Sequence, residues 1–197
     1  MHIADEFLEE AIGEFLESGS DESRLASCVV KVVAATELLL KEELEAICPA
    51  LILEKLDPKQ IIILYELENK LTDKNLVART QVKTARFEDI LDRVSLFVKI
   101  KRSTLRALKD IYQVRNEFLH HHKASFDEET INILLTEQIF PFLRKLLRRM
   151  QPEGISLRGR RWIPLVEKRE VWQAVEEIRK KSINQFKIRL TKKLLYH

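Results

Sequence analysis

Apolar residues recur at three- and four-residue intervals along most of the chain, the spacing that lays them on one side of an α-helix. In IADEFLEEAIGEFLE (residues 3–17), Ile3, Phe7, Leu8, Ile12, Phe15 and Leu16 form one stripe of an acidic amphipathic helix. SGSD (18–21) interrupts it, and Ser20 or Asp21 supplies an N-cap for a second helix over 22–47. That helix stops before Pro49, because a proline disfavours helical backbone in the residue preceding it. DPKQ (57–60) has the form of another start, with Asp57 as N-cap, Pro58 first in the helix and Gln60 completing a capping box. The run IIILYELENKL that follows has strand propensity in its first half, and the capping signal decides for helix. Residues 72–84 are polar and read as a loop.

Further helices are expected over 85–99, over 104–122 with Ser103 as N-cap, and from Asp127 to about 150. The last of these should kink at Pro141, which has no amide hydrogen and crowds the preceding turn. QPEGISLRGRR (151–161) is a basic connector, and Pro164 would open a final helix to about 195. Strand alternation and internal repeats are absent from the sequence, so the expected class is all-α: an antiparallel helical bundle with a basic C-terminal helix. Residues 1–150, with a core over 22–150, would make the bundle. Residues 151–197 would be a basic linker and a long helix that packs on the bundle or on a dimer.

Composition agrees with helices: Gly (4) and Pro (5) are scarce among 197 residues, and charged residues make up 33%. No stretch approaches the ~20 apolar residues of a membrane span, and the N-terminal MHIADEFLEE is acidic where a signal peptide would be basic. Cys28 and Cys48 are too few for a disulfide framework or a zinc site. They read as two buried, reduced thiols of a cytoplasmic protein. The net charge of +3 conceals an asymmetry. From Arg144 onward there are 16 Lys and Arg against 5 Asp and Glu, leaving 18 against 26 in the preceding 143 residues. Clustered positive charge suits a phosphate backbone, and equally an acidic protein partner or the acidic body of this same chain.

The stretch DIYQVRNEFLHHH (110–122) carries the candidate chemistry. On a wheel at about 100° per residue with Arg115 at zero, Leu108, Ile111, Tyr112, Phe118 and Leu119 all fall within about 60° of it. A guanidinium keeps its charge at every physiological pH, so burying it unpaired is costly. Either a bundle carboxylate such as Glu37 or Asp89 meets Arg115, or its face borders a cleft or subunit interface where an anion binds. His122 lies on the same side, whereas Asn116 and His120 share the flanking face. Three consecutive histidines diverge by about 100° each and do not converge on one metal ion.

Arg115-Asn116-Glu-Phe-Leu-His120 resembles the signature of the HEPN superfamily, an arginine followed after four to six residues by a histidine, often with a polar residue next to the arginine. The run ATELLLKEELEAICPALI (35–52) is similar to the first long helix of many such domains, and the resemblance covers about residues 22–150. It implies a homodimer whose motif helices line a shared cleft, and a metal-independent endoribonuclease without cofactor, of the kind found among toxins and antiviral effectors. His120 would move the proton of the 2′-hydroxyl or of the leaving 5′-oxygen. Arg115 would hold the scissile phosphate, and Asn116 would orient the histidine or a phosphate oxygen. RNA would be the substrate, and an antitoxin or other regulatory protein a partner. The family also contains inert modules that bind RNA or protein, which is the alternative reading. Members paired with a nucleotidyltransferase antitoxin carry Tyr two residues after the motif histidine. Here that residue is His122, which leaves that mode of silencing unsupported.

His121 and His122 are either auxiliary phosphate contacts or simple helix-end residues. In LRGRRW (157–162), Arg158, Arg160 and Arg161 would contact RNA phosphates while Trp162 stacks on a base, or the segment is a solvated connector. In the last helix, Trp172, Val175, Ile178, Ile183, Phe186, Leu190 and Leu194 form a stripe of the kind that makes core or dimer contact.

Overall fold

The computed structural model describes residues 3–18, 21–55, 58, 62, 83–121, 127–150 and 168–195. Six helices pack there: α1 (Ile3–Ser18), α2 (Glu22–Ile47), α3 (Phe87–Phe97), α4 (Arg102–His121), α5 and α6 (Arg169–Leu195). Helix α5 is continuous and built of three segments, α-helical Glu128–Ile133, π-helical Leu134–Ile139 and α-helical Phe140–Met150. Among the described residues there is no strand, only one antiparallel bridge between Leu53 and Thr84. The chain is all-α. None of the described helices is long and apolar enough to cross a membrane. The helix expected from Asp57, the segment LRGRRW and the side chains of Phe186, Leu190 and Leu194 lie outside the described residues.

The chain divides into two compact units, Met1–Thr36 with Lys101–His197, and Glu37–Ile100. In the first, α1 turns Leu8, Ala11, Ile12 and Phe15 inward, while Ile3 and Phe7 of its predicted stripe stay exposed. Asp21 is the residue that caps α2, its Oδ1 accepting from the amides of Ser23 (3.0 Å) and Arg24 (3.4 Å). Lys31 of α2 reaches Glu10 (2.9 Å) and Glu14 (2.8 Å) of α1. Burial alone would raise the Glu14 carboxyl, but hydrogen bonds from Lys31 and Ser27 and the nearby positive charges outweigh it and hold it below its ordinary value. Phe15 meets Phe140 of α5 edge-on, ring centres 5.3 Å apart, and Phe140 is fully buried. Helix α6 lies along both α1 and α5 and buries Trp172 and Val175.

Asp127 caps α5 as expected, its Oδ1 accepting from the amide of Thr130 at 2.7 Å. At Pro141 the helix does not break. The turn before it opens to π spacing, and the amide of Phe140 donates to the carbonyl of Leu135, five residues back. Widening the turn is a way for a helix to continue past a residue that cannot donate to the ladder.

In the second unit, Leu39, Leu40 and Leu44 of α2 and Phe87, Ile90, Leu91 and Val94 of α3 are buried. Arg93 donates to the carbonyls of Leu51 (2.7 Å) and Leu53 (2.6 Å), holding the 3₁₀ turn Pro49–Ile52. Lys41 bonds Glu37 (2.6 Å) and Thr84 (2.9 Å). Only one of the two thiols is buried, Cys28, and its burial pushes that thiol far above the ordinary range. Cys48 follows the end of α2 and is exposed, contrary to the expectation that both thiols sit inside.

Candidate functional site

Helix α4 begins at Arg102, so Ser103 falls within its first turn and is not the N-cap. Its buried residues are Thr104, Ala107, Leu108, Ile111, Val114 and Phe118. On the wheel centred at Arg115, that arc runs from about −100° (Val114) to about +20° (Leu108). Arg115 therefore stands at the rim of the buried face and not at its centre. The difference comes from three residues: Val114 is buried, whereas Tyr112 is half-buried and Leu119 is 47% exposed.

The half-exposed Arg115 donates from Nη1 to Asn116 Oδ1 at 2.8 Å, and its guanidinium lies 5.9 Å from the centre of the Tyr112 ring. Among the described residues its guanidinium pairs with no carboxylate. Glu37, a partner expected for it, bonds Lys41. Beyond the buried arc the helix presents one strip: Arg115 at zero, then Leu119, Tyr112, Asn116 and His120 by about +140°. Along that strip Leu119 and His120 are exposed and the other three half-buried. Arg115 and His120 so mark its two edges, with an exposed leucine between them. The side chains of His121 and His122 lie outside the described residues, as do Arg158, Arg160, Arg161 and Trp162.

A second feature was not anticipated from the sequence. Between α5 and α6 lies a cavity of about 210 Å³ that opens to solvent, lined on α5 by Thr136, Phe140, Pro141, Arg144, Lys145 and Arg148, and on α6 by Trp172, Val175, Glu176 and Arg179. Arg144 lies over the Trp172 ring, 5.0 Å from its centre, and its Nε is buried without a hydrogen-bond partner. Burial, then the neighbouring charge of Arg148, pulls the Arg144 guanidinium below its ordinary range. Arg179 is held by both Glu137 and Glu176, the latter through Nη1 at 3.0 and 3.1 Å. The signal available in the sequence was the i, i+4 arginine pair of RKLLRR and the Trp172 stripe, but only packing brings them together.

No family model, curated protein or solved structure matches the chain.

Proposed function

We propose that the chain is a HEPN-type endoribonuclease, an antiparallel helical bundle that cuts RNA without a metal ion at a site shared by two copies. The observation that carries this reading is the strip on α4. A half-buried arginine without a carboxylate partner among the described residues, an adjacent asparagine bonded to it and an exposed histidine flank an exposed leucine. An arginine of this kind is an anion ligand in waiting, and Leu119 offers apolar surface to a second copy.

Arg115 and His120 diverge by about 140° on one helix, so one copy does not direct both at the same phosphate. Two copies facing each other through their strips surround one. In that arrangement His120 of one copy accepts the 2′-hydroxyl proton as the 2′-oxygen attacks phosphorus. The bond to the leaving 5′-oxygen breaks, and that oxygen takes a proton from the histidine of the other copy. Arg115, oriented by Asn116, neutralises the charge that grows on the phosphoryl oxygens. The products are a 2′,3′-cyclic phosphate and a 5′-hydroxyl. Purified protein should cut RNA in excess chelator, and Arg115→Ala or His120→Ala should lower the rate by at least about a hundredfold. Full activity in both variants would refute the reading.

A further inference from the structure

We propose that the cavity between α5 and α6 is a phosphate-binding site, distinct from the α4 strip. Its lining holds four cations, Arg144, Lys145, Arg148 and Arg179, and one carboxylate, Glu176. Arg179 is paired with Glu176 and with Glu137, so the uncompensated charge is that of Arg144, Lys145 and Arg148. Among the described residues Arg144, Lys145 and Arg148 have no carboxylate partner, and Arg144 Nε is buried with nothing to donate to.

Like charges gathered in one concavity repel, and an orphaned buried donor is costly. A tetrahedral oxyanion relieves both at once. It is small enough for about 210 Å³, it carries the missing charge, and its oxygens accept from several guanidinium donors together. The α-helical spacing supports the fit. Arg144 and Arg148 are four residues apart on one face of α5 and supply the donors, while Arg179, held by Glu137 and Glu176, forms the opposite wall. Trp172 is only 5% exposed and already covered by Arg144, so it packs beneath the site and does not stack on a base. The ligand is thus recognised through its phosphate. That phosphate is either free or terminal, or it belongs to an RNA backbone. This inference stands on α5 and α6 alone, and its failure would leave the reading of α4 untouched.

The test uses the full chain carrying Trp162→Phe, which leaves Trp172 as its sole indole. Its fluorescence is followed at constant ionic strength during titration with inorganic phosphate and, separately, with a short oligouridylate lacking terminal phosphates. A saturable change is expected, and Arg148→Gln, which alters an exposed side chain and keeps Arg144 over the ring, should weaken it by at least about tenfold. A response to inorganic phosphate alone assigns a free or terminal phosphate, and a response to the oligonucleotide assigns the RNA backbone. No saturable change with either probe, or equal affinity in Arg148→Gln, would overturn the proposal.

Discussion

Replacing Arg144 by methionine should make the protein more stable in phosphate-free buffer. The Arg144 Nε is buried without a partner, which costs about 1–3 kcal/mol. Against this stands the contact of its guanidinium with the Trp172 ring at 5.0 Å, of a kind that contributes about 0.5–1 kcal/mol where the cation, like the half-exposed Arg144, keeps part of its surface in water. Methionine keeps an unbranched stem of similar reach and can lie on the same indole. The difference favours Arg144→Met by about 1 kcal/mol. Urea unfolding gives the sign directly, as a higher midpoint at unchanged slope. Phosphate should then reverse the order. At ten times its dissociation constant, a ligand bound only by the folded parent adds about 1.4 kcal/mol, and the variant lacks most of that gain. A residue that lowers stability until its ligand arrives is the usual signature of a binding site. An Arg144→Met protein about 1 kcal/mol less stable than the parent in phosphate-free buffer would show that the guanidinium is satisfied where it lies and needs no ligand.

Other consequences are as direct. Asp127→Ala removes the acceptor for the Thr130 amide and should cost about 1 kcal/mol in urea unfolding; an unchanged midpoint would contradict the cap. Glu14 sits below its ordinary value of 4.5 in the folded chain, so its contribution is complete above that pH and is lost as pH falls through the folded value. The parent should therefore lose stability more steeply in acid than Glu14→Gln, and equal slopes would contradict the role given to Lys31. A thiol reagent should modify the native chain once, at Cys48, and reach the buried Cys28 only on unfolding; two fast modifications would contradict the packing of α2.

Helix boundaries were legible at several local devices and not at others: Ser103 lies inside α4, and α6 begins at Arg169 and not at Pro164. Asp21 and Asp127 cap as their positions in the sequence suggest, and α2 ends at Ile47, before Pro49. The π segment of α5 was not legible, because Pro141 announces a defect without saying whether the helix bends or widens. The position of Arg115 was half legible. Its spacing placed it beside apolar residues, but hydrophobicity does not reveal which apolar residues meet a neighbour, and exposed Leu119 and buried Val114 shift the arc by about 40°, less than half a residue step. Cys48 shows the same limit: a thiol just past a helix end goes wherever the following turn leads it. The α5–α6 cavity joins residues 136 to 179 through tertiary packing alone, so no local pattern could announce it.

In the proposed reaction α4 would supply the general acid–base and phosphate-binding groups for attack by a ribose hydroxyl. The most direct measurement compares an RNA with the same strand carrying a single 2′-deoxy residue at the cut site, each incubated with purified protein in chelator. If α4 acts as proposed, the RNA yields a 2′,3′-cyclic phosphate and a 5′-hydroxyl while the deoxy position stays intact. Cleavage of the deoxy position at an equal rate, or a 3′-hydroxyl product, would contradict that role.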